Sequence, residues 1–243
     1  MVRKVTVTAL FAILMATTAN AQNERSAWTL NTRAWSTNYF TTMIGALTSV
    51  LITDVIGEAL EADSLVMDHI VPLPDIVFPV GLEKEGFNDP LNIYGPYHYA
   101  FGNPFKHPGD YGIGLDLSWK PTMVGLYAGA YFKSQEIVYD ATDKHLRAFY
   151  FQPRGGLILG SDKTSIEAGV FYDVVTGCRY DGNSANKDQL KNGLGLDFAV
   201  SYFDKGDKSS TTLQFMMPLH NMLNSDVVKR RVGYIMVTRR VSF

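Results

Sequence analysis

Apolar and polar residues alternate with period two along much of the chain after residue 110, which is the pattern of a β-strand with two different faces. The clearest example is Tyr111–Trp119, in which apolar side chains occupy the odd positions and glycine, aspartate or serine the even ones. Its length suits a tilted membrane strand, which needs roughly 9–11 residues. Because aromatic residues end the apolar face, where interfacial girdles belong, the segment predicts a strand facing lipid.

The same alternation recurs toward the C-terminus, which predicts further strands at about 124–132, 149–159, 166–173, 193–202, 212–219 and 234–243. Short polar turns and longer polar links alternate between them, the longer links covering 134–145, 177–192 and 220–229. Outer-membrane barrels have short periplasmic turns and long extracellular loops. With the C-terminus in the periplasm, every short turn falls on the periplasmic side, and Tyr111–Trp119 becomes a descending strand that needs an ascending one before it.

Three segments are candidates for that ascending strand. Residues 92–102 carry aromatic side chains on one face, although Pro96 weakens the pattern, and 76–80 and 28–34 are shorter alternatives. The expected fold is all-β, an antiparallel transmembrane up-and-down β-barrel. Since bacterial single-chain barrels have even strand numbers, about 8 strands using 92–102 is the first expectation and 10 strands the alternative.

Residues 41–67 follow a different period. Ile44, Leu47, Leu51 and Val55 recur at helical spacing, with acidic residues on the opposite side. This predicts an amphipathic helix, and its acidic residues argue against a membrane-spanning one. The helix either packs against the barrel or offers a surface to a periplasmic partner. The predicted organisation is a signal peptide at 1–21, an N-terminal extension at 22–90 and a barrel at 91–243.

The N-terminus has the layout of a secretory signal peptide. Arg3 and Lys4 precede an uncharged apolar run, and Ala19 and Ala21 supply small residues before the expected cleavage site after residue 21. The apolar run is too short to span a bilayer as a helix. The single cysteine, Cys178, excludes an internal disulfide.

Composition agrees with a barrel in lipid. The net charge is −2 and no basic stripe indicates nucleic-acid binding, while aromatic residues make up 12% and glycines number 21. A soluble β-sandwich or lipocalin-like barrel would show the same alternation with its apolar face inward. The polar faces are rich in glycine and poor in lysine, which favours the crowded interior of a narrow membrane barrel over a solvated surface.

The signal peptide, the alternating strands and the terminal aromatic residue together resemble the small outer-membrane barrels of Gram-negative bacteria, of the OmpA/OmpX type. The resemblance covers about 92–243 and implies an outer-membrane location, with lipid and the barrel-insertion machinery as partners. In that family the last strand is the assembly signal, and the matching residues here are Val237, Val241 and Phe243. The resemblance does not imply a particular function, because barrels of the same shape have many different functions.

Charged residues fall on the predicted inner face, namely Asp116, Arg154, Glu167, Asp197 and Arg240. Unpaired buried charge is costly, so these residues are expected to pair within a plugged interior. A polar pore with charge selectivity is the alternative.

Three histidines, His107, His145 and His220, fall at the predicted extracellular end, together with Asp110, Asp140, Asp143 and Ser134. Such groups could form a hydrolase or acyltransferase site or bind a metal. Their spacing supports neither, because the H-E-x-x-H, G-x-S-x-G and P-loop motifs are absent, and no cofactor is expected. The expected role is therefore structural, adhesive or partner-binding, with a narrow porin-like passive channel or an outer-membrane hydrolase as alternatives.

Overall fold

The structure is a computed structural model that describes residues 27–38, 40–41, 43–44, 47, 55, 68–72, 76–81, 109–139, 145–161, 163–203, 209–224 and 231–242. For residues 68–72, 76, 78–81, 137–139, 145 and 240–242 it describes the backbone alone. Within this part of the chain no helix is both long and apolar enough to cross a membrane.

The described strands join in a single sheet. They are β1 (Trp28–Ser36), β2 (Asp68–Pro72), β3 (Ile76–Gly81), β4 (Tyr111–Trp119), β5 (Val124–Tyr139), β6 (His145–Gly160), β7 (Thr164–Tyr180), β8 (Asn183–Ser184), β9 (Gly193–Phe203), β10 (Ser209–Pro218) and β11 (Val232–Ser242). Eight of them are long and pair antiparallel with their neighbours in the order β1-β4-β5-β6-β7-β9-β10-β11. The expectation of an all-β, antiparallel, up-and-down architecture with eight main strands is confirmed.

The strand that precedes β4 in the wall differs from the first expectation. β1 pairs antiparallel with β4 over its whole length, from Trp28 opposite Trp119 to Ser36 opposite Tyr111. The structure therefore corrects the choice of 92–102 as this neighbour, and that segment lies outside the described residues. The alternation in β1 is broken by Thr32 in the apolar register, opposite Leu115, and by Trp35 in the polar register, opposite Gly112, so its sequence signal is weaker than that of β4.

Two short strands join the last long strand to the first. β2 and β3 both run antiparallel along β11, and β2 also pairs parallel with β1 through Thr29 opposite Asp68. β1 and β11 run in opposite directions, so a segment inserted between them must be parallel to one of them. β2 is antiparallel to β11 and therefore parallel to β1. The sequence pattern predicted no strand at 68–72, so the parallel pairing of β2 with β1 was not expected.

The two faces of the wall differ in chemistry. The outer face exposes large apolar side chains on successive strands, among them Leu115, Val124, Leu126, Phe132, Leu157, Leu159, Ile166, Val170, Tyr172, Leu194, Leu196, Phe198, Tyr202, Leu213 and Met217. The inner face buries polar and charged side chains, including Asp116, Arg154, Asp173, Asp197 and Gln214. This is the reverse of a soluble barrel, where the apolar face turns inward.

We call the end with the turns at 120–123 and 161–163 the turn end, and the opposite end the loop end. β5, β6 and β7 have 16, 16 and 17 residues, whereas β4 has 9, and the additional residues lie at the loop end. The predicted links at 134–145 and 177–192 are therefore partly strand. Their polar residues pair across the ladder, as Arg147 does with Glu136 at 3.5 Å, which is why they had the sequence pattern of a loop.

The described residues of the predicted helix have helical backbone, namely Thr41, Met43, Ile44, Leu47 and Val55. The rest of 41–67 lies outside the described residues, as do the signal peptide and its cleavage site. The helix as an element and the division at residues 21 and 90 therefore stay predictions.

Candidate functional site

A guanidinium group lies at the centre of the barrel interior. Arg154 on β6 is buried, with its Nε 3.2 Å from Asp116 Oδ1 on β4 and its Nη2 2.6 Å from Asp197 Oδ2 on β9. The Tyr131 hydroxyl donates to Asp116 at 2.6 Å, and the Tyr127 hydroxyl donates to Asp197 at 3.0 Å. Both rings also lie about 5 Å from the guanidinium carbon, within cation–π range. We call these five residues the Arg154 cluster.

The Arg154 cluster continues to the other side of the barrel. Gln214 on β10 donates to Asp197 at 2.5 Å and accepts a hydrogen bond from Arg33 on β1. Arg33 also donates to Thr238 on β11 at 2.8 Å. Two guanidinium groups and two carboxylates are thus joined from wall to wall, so the interior at this level is charge-balanced and filled.

Glycines on the inner face leave room for these side chains. A Cβ on Gly129 would collide with the Asp116 carboxylate, and a Cβ on Gly169 would collide with the Tyr127 hydroxyl. The glycine-rich polar faces seen in the sequence therefore have a steric origin, in agreement with a narrow barrel filled by its own side chains.

A second polar group lies closer to the loop end. Lys133 on β5 is 3.0 Å from the Asp173 carboxylate on β7, and both side chains are buried. Gln152 donates to the same carboxylate at 2.8 Å. The Lys133 ammonium lies 4.8 Å from the ring centre of Tyr150 and 5.8 Å from that of Phe171. We call Lys133, Asp173, Gln152 and Tyr150 the Lys133 cluster.

A buried apolar cluster, which we call the apolar cap, lies at the loop end next to the Lys133 cluster. It consists of Leu146, Ala148, Tyr150, Cys178, Leu190, Met222 and Leu223, all of them buried. The backbone bridge between Leu190 and Leu223 joins the β8–β9 and β10–β11 loops, and Lys191 N donates to Met222 O at 3.0 Å. Two loops are thus joined to each other and packed against buried residues of β6 and β7 at this end.

Asp110 fastens three wall strands together at the loop end. Its carboxylate accepts from the Glu136 backbone N–H at 2.7 Å and from the Tyr234 hydroxyl at 2.9 Å, and its backbone N–H donates to the Thr37 hydroxyl at 2.8 Å. Burial raises the pKa of this carboxyl from 3.8 to about 6, although both hydrogen bonds and the nearby Arg147 act in the opposite direction. Asp110 therefore joins these strands through hydrogen bonds, and its carboxyl group has a raised pKa.

The histidines expected at the extracellular end do not form a site within the described residues. His220 packs over the inner face of Gly193, and its Nδ1 lies 3.2 Å from Leu194 O. Burial lowers the pKa of its imidazole below 6.5, which favours the neutral ring. His107 lies outside the described residues, as does the His145 side chain, and Ser134 is buried, accepting from Arg147 at 3.1 Å. No group of three His, Cys, Asp or Glu residues able to hold a metal occurs in the described chain.

The other predicted site residues are placed as follows. Asp116, Arg154 and Asp197 meet in one cluster, Glu167 lies on the inner face of β7, and the Arg240 side chain is outside the described part. Val237 lies on β11 opposite Leu213, while Phe243 and the Val241 side chain are not described. Sequence reasoning missed Arg33 and Lys133 as interior charges, although the polar position of Lys133 next to Phe132 was a usable signal.

The described strands form an antiparallel β-barrel with an apolar exterior and an interior that holds buried, ion-paired side chains. The structure is similar to a crystal structure of Ail, the attachment invasion locus protein of Yersinia pestis, in complex with the heparin analogue sucrose octasulfate. The match covers 69% of this chain and 93% of that chain, with 9% identity and a TM-score of 0.36. No protein-family model and no curated protein matches the sequence. The architecture agrees with the resemblance to small outer-membrane barrels, and the match assigns no activity or ligand.

Proposed function

We propose that the chain is an outer-membrane β-barrel with a closed interior, which serves a structural, adhesive or partner-binding role without catalysis or conduction. The observation that carries this proposal is the combination of an exposed apolar exterior with buried ion pairs inside. An apolar face of this extent is unfavourable in water and favourable in lipid. A signal peptide and the barrel-insertion machinery are part of the proposal.

The height of the apolar exterior supports a membrane location. On β5 the residues of the outward register are apolar from Val124 to Phe132, and the next two, Ser134 and Glu136, are polar and accept hydrogen bonds from Arg147. Nine residues of a strand tilted by about 40° rise roughly 20–25 Å, close to the apolar band of about 25 Å in outer-membrane barrels. The strands of β5 to β7 continue past this band at the loop end, so they extend into solvent and offer a surface for adhesion or partner binding.

Conduction is disfavoured by the interior. The Arg154 cluster spans the interior from β4 to β9 and is continued by Gln214 to β10, and the apolar cap packs at the loop end. In planar bilayers, we expect the purified barrel to show no ion conductance in conditions where a general porin, as the positive control, gives stable steps. Reproducible steps from the folded protein would support the alternative function, a narrow passive channel, and contradict the closed interior.

The hydrolase or acyltransferase alternative has no assembled site among the described residues, and it predicts that replacing His107, His145 or His220 by alanine abolishes turnover of a lipid or peptide substrate. We expect no turnover in the unaltered protein.

The periplasmic partner of the 41–67 helix also stays a proposal. Thr37 contacts Asp110 at the loop end, which is the extracellular end in the predicted topology. The chain therefore enters the helix-forming residues on the side opposite the periplasm, and this placement does not support the periplasmic partner.

A further inference from the structure

Several buried polar groups surround the Lys133 cluster without a protein partner. In the described chain, neither amide atom of Gln135, nor the Tyr150 hydroxyl, nor Gln152 Oε1, nor His220 Nε2 makes a hydrogen bond to protein. Gln135 is 0% exposed, and Tyr150 and Gln152 are each 1% exposed, so bulk solvent does not reach them. A buried polar atom without a partner is costly, and most such atoms in proteins bind ordered water.

These groups lie at one level of the barrel. Lys133 is directly opposite Tyr150 in the β5–β6 pairing, and Gln135 is the next inward residue of β5. Asp173 is directly opposite Gly193 in the β7–β9 pairing, and the His220 ring covers the inner face of Gly193. Gln152 donates to Asp173 and the Tyr150 ring lies against Lys133, while Gln135 and His220 occupy neighbouring inner-face positions beside this ion pair.

We infer that this level of the barrel is an enclosed binding site for small uncharged hydroxyl compounds, and that water is its resident ligand. The ion pair leaves no net charge to attract an ion. Gln152 Oε1 and the neutral His220 Nε2 only accept hydrogen bonds, whereas Gln135 and Tyr150 both donate and accept. A hydroxyl group can donate to the acceptor atoms and also accept from the donor atoms. A cationic ligand can only donate, and an anionic ligand can only accept.

The experiment compares the stability of two variants refolded in detergent micelles, with folding verified by the gel shift on boiling. Tyr150→Phe removes only the hydroxyl, and Gln135→Met replaces the amide by an apolar group of similar length. We expect both to lower the urea midpoint of unfolding relative to the unaltered protein, because each removes hydrogen bonds to bound water. Gln189→Met, at an exposed position, is the matched control and should leave the midpoint unchanged.

An unchanged or higher urea midpoint in these two variants would overturn the inference. If these groups have no partner, replacing them by apolar ones leaves the midpoint unchanged or raises it, because the cost of burying them is removed. A second measurement identifies the ligand: nuclear Overhauser contacts between the Gln135 side-chain amide protons and water are expected. Contacts to added glycerol that displace the water contacts would show the same hydroxyl chemistry with a polyol as occupant, and the absence of both contacts would contradict the site.

Discussion

The apolar exterior can be tested by placing a charge at one of its central positions. Leu115 is the middle residue of β4, lies exposed on the outer face and pairs with Thr32 and Ala130 on the neighbouring strands. Leu126 also faces outward but is opposite Trp119, at the turn-end rim. Four residues of a tilted strand separate these two depths, which is about 10 Å along the membrane normal.

Leu115→Arg should lower the free energy of unfolding by about 2–4 kcal/mol, because a cation at the bilayer midplane loses its hydration. Leu126→Arg, near the interface, should cost only about 0–1 kcal/mol. The assay is urea titration of the protein refolded into phosphatidylcholine liposomes, followed by the fluorescence of its 3 tryptophans.

The decisive quantity is the difference between the two variants in how much the free energy of unfolding falls. If the outer face met water, both substitutions would stay within about 0.5 kcal/mol of the unaltered protein, as surface changes usually do. Equal and small effects at the two positions would therefore refute the membrane-facing assignment of the outer wall.

Three further predictions concern the interior and the loop end. Arg154→Met should lower the free energy of unfolding by about 3–5 kcal/mol, since both carboxylate partners stay buried without a cation, and changing both aspartates to Asn as well should recover most of that loss in the same titration. Because the folded-state pKa of Asp110 is raised from 3.8 to about 6, the folded protein retains a proton that the unfolded chain releases. Stability should therefore fall, by up to about 3 kcal/mol from this group, as the pH rises from about 4 to 6, and Asp110→Asn should flatten the profile. Gly114→Ala should cost about 1–3 kcal/mol by overpacking against the neighbouring strand, whereas Gly177→Ala, where a Cβ has room, should cost less; equal effects would contradict this steric account.

The parts of the fold that were predictable from sequence are those that depend on local alternation. The predicted bounds of β4 match the structure, because its apolar face is unbroken and ends in aromatic residues at both sides. Arg239 interrupts the apolar face of β11, and the structure supplies the reason: it donates to Thr211 and Ser209 at 2.8 Å near the turn end. The sequence pattern alone indicated no partner for this charge.

Contacts between distant segments were not predictable in the same way. Alternation places Asp116, Arg154 and Asp197 on inner faces, but which of them meet depends on strand register and barrel size. Arg33 reaches Gln214 across 181 residues of sequence, and no local pattern encodes that contact. The parallel pairing of β2 with β1 was missed for the same reason, since it depends on where the last strand ends around the barrel.

Membrane fractionation combined with heat-modifiability tests whether the chain folds as a barrel in the outer membrane. Full-length protein expressed in a Gram-negative host should sit in the outer-membrane fraction, and its gel mobility should shift between unboiled and boiled samples because the folded barrel resists denaturation by detergent. Soluble protein in the periplasm or medium, with no mobility shift, would contradict an outer-membrane barrel and would mean that the apolar face is covered in some other way.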